Sequence, residues 1–180
     1  MDASSISMYL KETWATIYMT LISSSISYLI GIPLGVILVV TDKDGIHPMT
    51  PVHAVLGMLI NIFRSIPFLI LLVMVLPLTK MLVGTTLGPK AIIPPLIIAS
   101  APYIGRMVES SLKEVNAGVI EAAKSMGATN TQIIFKVLLP EAKPSLLVGA
   151  AICITTILSY SAMAGFVGGG GLGAIALNYG

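Results

Sequence analysis

Charged positions divide this chain into long apolar runs. Residues 13–41 carry no charge over 29 positions. About 20 apolar residues in a helix cross a bilayer core, so this run predicts one spanning helix over about 13–40. Trp14 and Tyr18 suit its first interface, and Pro33, between Gly31 and Gly35, predicts a kink. The length, without a basic start or a small-residue cleavage site, does not fit a cleavable signal peptide. Asp42-Lys43-Asp44-Gly45, with Pro48 and Pro51 beyond it, predicts a loop. A second span is expected over about 53–79, with Arg64 its only charge. Residues 80–90 form a turn. A third span follows over about 91–110, with Pro94 and Pro95 at its tolerant start. Residues 113–143 are polar enough to leave the membrane. The last 37 residues, 144–180, carry no charge. They hold a fourth span over about 144–163, which the Gly168-Gly169-Gly170-Gly171 run breaks. From 172 onward the remainder is too short to cross. The expectation is one transmembrane domain, 1–180, with four full spans and the start of a fifth.

Composition agrees with that pattern. Hydrophobic residues make up 56% of the chain and charged residues 10%, where a soluble domain carries about a quarter charged. The fold class is therefore all-α polytopic membrane protein. A net charge of +2 points to no nucleic-acid partner. Cys153 is the sole cysteine, which excludes an internal disulfide and a Cys-based zinc site. His47 and His53 flank a Pro-containing loop without metal-ligand spacing, so no metal is expected. Charge also sets a sidedness. Arg106, Lys113, Lys124, Lys136 and Lys143 cluster in one segment, which the positive-inside tendency places in the cytoplasm. The loop at 42–52, two crossings back, shares that side and adds Lys43. Lys11, Lys80 and Lys90 then lie outside, with the N-terminus.

The segment 113–143 carries the strongest signal. Val115, Val119, Ala122 and Met126 fall at i, i+4, i+7 and i+11, which predicts one apolar helix face. Gly127 follows as a helix stop, and Lys124 suits the end of the helix dipole. Thr129 or Asn130 can cap a second short helix, whose apolar face is Ile133, Ile134 and Val137. Two short amphipathic helices at an angle are expected on the membrane surface. Amphipathicity alone favours a membrane-parallel connector with no partner.

The residues say more. Glu121-Ala122-Ala123, three residues, Gly127, nine residues, Val137, one residue and Leu139-Pro140 resemble the EAA motif of ABC importer permeases. Only Val137, where that motif has Ile, departs. Arg64-Ser65-Ile66-Pro67-Phe68 and the stretch 159–165, followed by the glycine run and Leu172-Gly173, resemble the permeases of bacterial methionine importers. That resemblance covers about 13–180. It implies a type I ABC importer permease bundle in the bacterial inner membrane, with residues 113–143 as coupling helices. The implied partners are a cytoplasmic ABC ATPase dimer, a second copy of the chain and an extracytoplasmic methionine-binding protein. ATP and Mg would belong to the ATPase. This chain has no G-x-x-x-x-G-K-[ST] motif, and it is expected to be a transport subunit without cofactor or enzymatic site of its own. By the resemblance, Glu121 offers a carboxylate to the ATPase and Ala122 and Ala123 allow close approach. Gly127 sets the angle between the helices, and Val137, Leu139 and Pro140 complete the motif. Permeases of the family have five spans, so the stub after 172 suggests a truncated fifth.

Other readings stand beside this one. The cargo could be another small amino acid or an osmolyte. An ion-coupled carrier would call for paired acidic groups or a broken helix with an ion site in the spans, and no Asp or Glu is expected inside any span. An intramembrane enzyme would need a nucleophile with its base, and no such set is found. Arg64 lies roughly 17 Å into its span at 1.5 Å per residue, near the bilayer middle. An intramembrane Arg is a functional-site hypothesis that competes with snorkelling. Its partner would be an acidic residue, backbone carbonyls near Pro67 or a substrate carboxylate. Gly168, Gly169 and Gly170 read as a flexible turn at an outer gate, beside Ser161 and Met163. Ser23, Ser24, Ser25 and Ser27 suit close helix packing.

Overall fold

The structure, a computed structural model, describes residues 3–180, and its regular elements are all helices. Helix α1 (Ala3–Thr41) is 39 residues long and runs through Pro33 without a break. Helix α4 (Pro89–Lys113) lies parallel to it, and this pair is the axis of the bundle. Gly31 and Gly35, one turn apart on α1, make the contact possible. A Cβ on Gly31 would sit 2.5 Å from Ile104 Cγ2, and one on Gly35 would sit 2.5 Å from Val108 Cβ. Small residues let helix backbones approach closely where lipid supplies no hydrophobic drive. Ser23, Ser24 and Ser27 are buried on the same helix; Ser25 is exposed and donates to the Leu21 carbonyl.

The expected second span is not one helix. Helix α2 (Thr50–Ser65) and helix α3 (Phe68–Val83) meet at a bend of 105°. Pro67 lacks an N–H and its ring disfavours a helical conformation in the preceding residue. Ile66 is accordingly extended, at φ −83° and ψ 122°, and Pro67 becomes the residue that opens α3.

Among the described residues, three helical stretches are long and apolar enough to cross a membrane, and the bent pair makes a fourth if it crosses as one span. The third is helix α8 (Lys143–Met163), which continues as a tight 3₁₀ turn (Ala164–Val167). It runs antiparallel to α4, where Ser145 donates to Ser111 at 3.0 Å. Helix α9 (Leu172–Tyr179), with eight residues, is shorter than a span. Met19, Leu72, Ile92, Leu96, Ile104 and Ile157 are wholly buried between these helices. The outer surface is apolar, with Trp14, Leu29, Met74, Leu147 and Val148 all exposed.

Candidate functional site

Between α4 and α8 the chain makes two short helices joined at a fixed corner. Helix α5 (Ala117–Ser125) starts at Asn116, whose side chain accepts the Gly118 N–H at 2.8 Å. It stops at Gly127, which is left-handed at φ +79°. The Gly127 N–H reaches the Lys124 carbonyl at 2.9 Å, and the Ala128 N–H reaches that of Ala123 at 3.1 Å. This pair of bonds is a Schellman closure. A Cβ on Gly127 would meet nothing within 4 Å, so backbone conformation, not space, demands glycine there. Thr129 then caps helix α6 (Asn130–Ile133) in a reciprocal capping box with Gln132. The chain widens into a π-helical turn (Ile134–Leu138) and enters helix α7 (Leu139–Glu141), with Pro140 in its first turn.

The faces of these helices differ from the expected ones. Ala123 is buried and Ile120 packs on the core, while Val119, Ala122 and Met126 are exposed. Of the predicted apolar face, Val115 packs on the core, while the rest points away from the bundle. Its periodicity reflects a surface left open, not one covered by the chain's own helices. Beyond the corner, Ile133 and Leu138 are wholly buried, and Phe135 is 66% exposed. The π turn adds a residue to the helical count, so Leu138 takes the inward place expected of Val137. Glu121 is exposed. The motif residues thus line both sides of the corner, with Ala122 and Glu121 on its open side and Ala123 and Leu139 on its inner side.

A network of ion pairs lies at the base of this corner. Lys113 Nζ donates to Glu109 Oε1 at 2.9 Å and pairs with Asp42 Oδ2 at 2.7 Å. Arg106 donates to Glu109 Oε2 at 2.6 Å, to the Gly57 carbonyl at 3.1 Å and to Asn61 Oδ1 at 3.2 Å. His53 Nδ1 lies 2.9 Å from the Leu38 carbonyl and so carries the proton on that nitrogen. Asp42, His53 and Glu109 bring ligand atoms within 4.8 Å of one another, but both carboxylates are already held by Lys113 and Arg106. The network ties the α1–α2 loop, α2 and α4 together. Sequence reasoning missed it because its members lie up to 71 positions apart, from Asp42 to Lys113. The available signal was Arg106, Glu109 and Lys113 at i, i+3 and i+7 on one helix face.

The hydrogen bond from Lys113, backed by the Lys43 N–H, holds the Asp42 carboxyl below the usual carboxylate range. A depressed pKa stabilises the fold above the unfolded value, about 3.9, and that contribution is lost as pH falls through the lower folded value. The expected result is a small difference between wild type and Asp42→Asn in detergent, under about 1 kcal/mol for a pair this exposed. It should be constant from pH 7 to 5 and vanish in strong acid. Melting temperatures across pH check it; a difference growing as pH falls would refute the pairing.

The residues expected along a path fall into two groups. At the α2–α3 break, Asn61, Arg64 and Ser65 give α2 an exposed polar edge. The Arg64 guanidinium lies 5.9 Å from the centre of the Tyr103 ring. The broken helix that an ion-coupled carrier would call for is therefore present, and Asp42 and Glu109 form an acidic pair near it, but both are held by basic side chains. Glu109, inside the expected third span, is neutralised by Arg106 and Lys113. At the other end of the bundle the glycine run is firmly held. Gly168 N–H and Gly169 N–H bond back to the 3₁₀ turn, Gly168 accepts from Gly88, and the Gly171 N–H reaches Glu12 on α1. Thr16 accepts from the Leu172 N–H at 2.9 Å. Gly168, Gly170 and Gly171 need glycine for positive φ, and Gly169 for contact with Ile92. A held corner, not a flexible turn, is the geometry. Ser161 is 1% exposed and donates to the Leu158 carbonyl, so it faces the interior; Met163 is 36% exposed.

Comparison with known proteins adds the rest. A probable D-methionine transport system permease protein, MetI, of Vibrio cholerae is 51% identical over 96% of this chain and 77% of its own length. The D-methionine transport system permease protein MetI of Escherichia coli K12 is 47% identical over 88% of this chain and 73% of its own. A solved inward-facing MetNI methionine ABC transporter superposes with a TM-score of 0.98 at 46% identity, covering all of this chain and 83% of that one. An amino acid ABC transporter with histidines, at 22% identity and TM-score 0.77, shares the fold. Residues 31–178 match the model of the binding-protein-dependent transport system inner membrane components, and the chain belongs to this family of multi-pass inner-membrane permeases.

Proposed function

We propose that this chain is the membrane-spanning subunit of an ATP-driven methionine importer. The observation that carries the reading is the likeness of this whole chain to a chain of a methionine ABC transporter. It works without an ATPase site of its own. Two copies form the path, a separate cytoplasmic ATPase dimer holds ATP and Mg, and an extracytoplasmic binding protein delivers the cargo. The corner at α5–α6 lies in the cytoplasm with the 42–52 loop, and the N-terminus lies outside.

In this scheme the exposed face of Val119, Ala122 and Met126, with Phe135 beyond the corner, docks on the ATPase. Ala122 keeps the approach close and Glu121 offers a carboxylate to a donor there. Val137, Leu139 and Pro140 return the chain to the membrane. On the inner side, Ile120 and Ala123 pack toward Leu138 and the ends of α1 and α4. A push on the corner therefore moves packed helices rather than a loose loop, because close-packed interfaces shift as units.

Uptake of labelled L-methionine tests the reading, in cells lacking their own methionine importers and supplied with the partner subunits. Gly127→Val places a branched side chain at φ +79°, a conformation that disfavours L residues by about 1–2 kcal/mol. The expected outcome is uptake reduced about tenfold, with the ATPase still hydrolysing ATP. Wild-type permease that binds its ATPase but takes up no methionine would discard the cargo. A correctly inserted permease that fails to co-purify with the ATPase would discard the coupling role.

A further inference from the structure

Two cavities flank the α2–α3 break, and each holds one of the chain's two arginines. The larger, about 680 Å³, is lined by Gly57, Asn61 and Arg106. Its cation is satisfied, since Arg106 bonds Glu109, the Gly57 carbonyl and Asn61. The smaller, about 230 Å³, is lined by Phe63, Arg64, Phe68, Ala99, Tyr103 and Tyr160. Its cation is not satisfied. Arg64 has no carboxylate partner among the described residues, and its recorded contact is the Tyr103 ring.

We infer that this smaller cavity is an amino-acid site in the transport path, with Arg64 as the partner of the cargo's α-carboxylate. The inference rests on the transport reading above and names the site that reading leaves open. A permanent cation in a membrane-spanning segment needs a counter-charge or water. The guanidinium fork matches a carboxylate through two parallel hydrogen bonds. The volume lies below the roughly 300–1,000 Å³ of drug-sized sites, so it suits one small solute. Beside Ile66 and Ala99, the remaining wall is aromatic. Phe68 and Tyr160 stack with centroids 4.7 Å apart and planes 4° from parallel. Such a wall accepts an apolar side chain, and a thioether makes favourable contacts with aromatic rings. Pro67 creates the site: by breaking the span it sets Arg64 at the end of one helix and Phe68 at the start of the next.

The test is protection of Arg64 from phenylglyoxal, a guanidine reagent, in the purified permease–ATPase complex. Peptide mass spectrometry separates Arg64 from Arg106. Labelling of Arg64 is expected, slowed about tenfold or more by saturating L-methionine and not by L-methioninamide, which lacks the carboxylate. Arg64→Gln should reduce uptake by a similar factor, with Arg64→Lys between it and wild type, because lysine keeps the charge but not the fork. Protection by other free amino acids but not by methionine supports the site and discards methionine as its cargo. Arg64 that never labels, acid and amide that protect equally, or no protection in a complex that takes up methionine would each overturn the site. Uptake by the same complex decides the cargo independently.

Discussion

Gly35→Val is expected to separate α1 from α4 and leave little folded permease. The Cβ alone would stand 2.5 Å from Val108 Cβ and 2.7 Å from the Gly105 carbonyl oxygen. Neither neighbour can yield easily, since one is a branched atom close to the backbone and the other is backbone itself. Overpacking a well-packed contact costs about 1–3 kcal/mol, occasionally more, and Gly35→Ala already incurs it. Valine adds two methyl groups in the same place. Gly31, one turn away, meets Ile104 in the same manner, so the two sites share a partner helix and their effects will not add simply. Melting temperature and the monodisperse yield in detergent measure the loss. Ser25→Val, at an exposed position of the same helix, is the control and should change little. A Gly35→Val protein that melts with wild type would mean that α1 and α4 do not touch at this point.

Glu109→Ala is the second large effect, near 3 kcal/mol of destabilisation. Glu109 is 5% exposed, and its two oxygens hold Arg106 and Lys113 separately. Removing one member of a buried ion pair costs about 3–5 kcal/mol because a charge is left without compensation. The lower end applies here, since the Lys113 side chain is 45% exposed and water can serve it. Replacing the three together, Arg106→Met, Glu109→Leu and Lys113→Met, should recover most of the loss, because apolar groups of similar volume need no partner. The melting temperatures of the single and triple variants decide it. A triple variant no more stable than Glu109→Ala would show that the network does more than neutralise its own charges.

The helices with long uncharged runs were legible in the sequence, because run length and bilayer thickness answer the same question. The break at Ile66–Pro67 was not. Pro33, Pro77 and Pro102 all lie inside continuing helices, so proline alone does not tell a bend from a break. The corner at α5–α6 was legible through fixed spacing, and Gly127 through its place after the last apolar position. The direction of its apolar face was not, because periodicity shows that a face exists and not what covers it. Val119, Ala122 and Met126 share one face of α5, and all three stand clear of the bundle. The glycine run suggested freedom of movement, yet Gly168 is held by Gly88 and Gly171 by Glu12, both from distant parts of the chain. Such partners, like Asp42 for Lys113, have no local trace.

The bond between Glu12 and the Gly171 N–H spans 159 positions. A ribosome adding roughly 5–20 residues per second takes on the order of 8 to 32 s to bridge that gap. For this interval the first helix is already made while the atoms that complete its upper end do not exist. The α1–α4 pair is available once residue 113 has been made, but the Glu12 end of α1 closes only after synthesis of Gly171. Until then the Glu12 and Thr16 side chains are open to any other donor within reach, which makes the early part of this chain a natural client for whatever shelters nascent membrane helices.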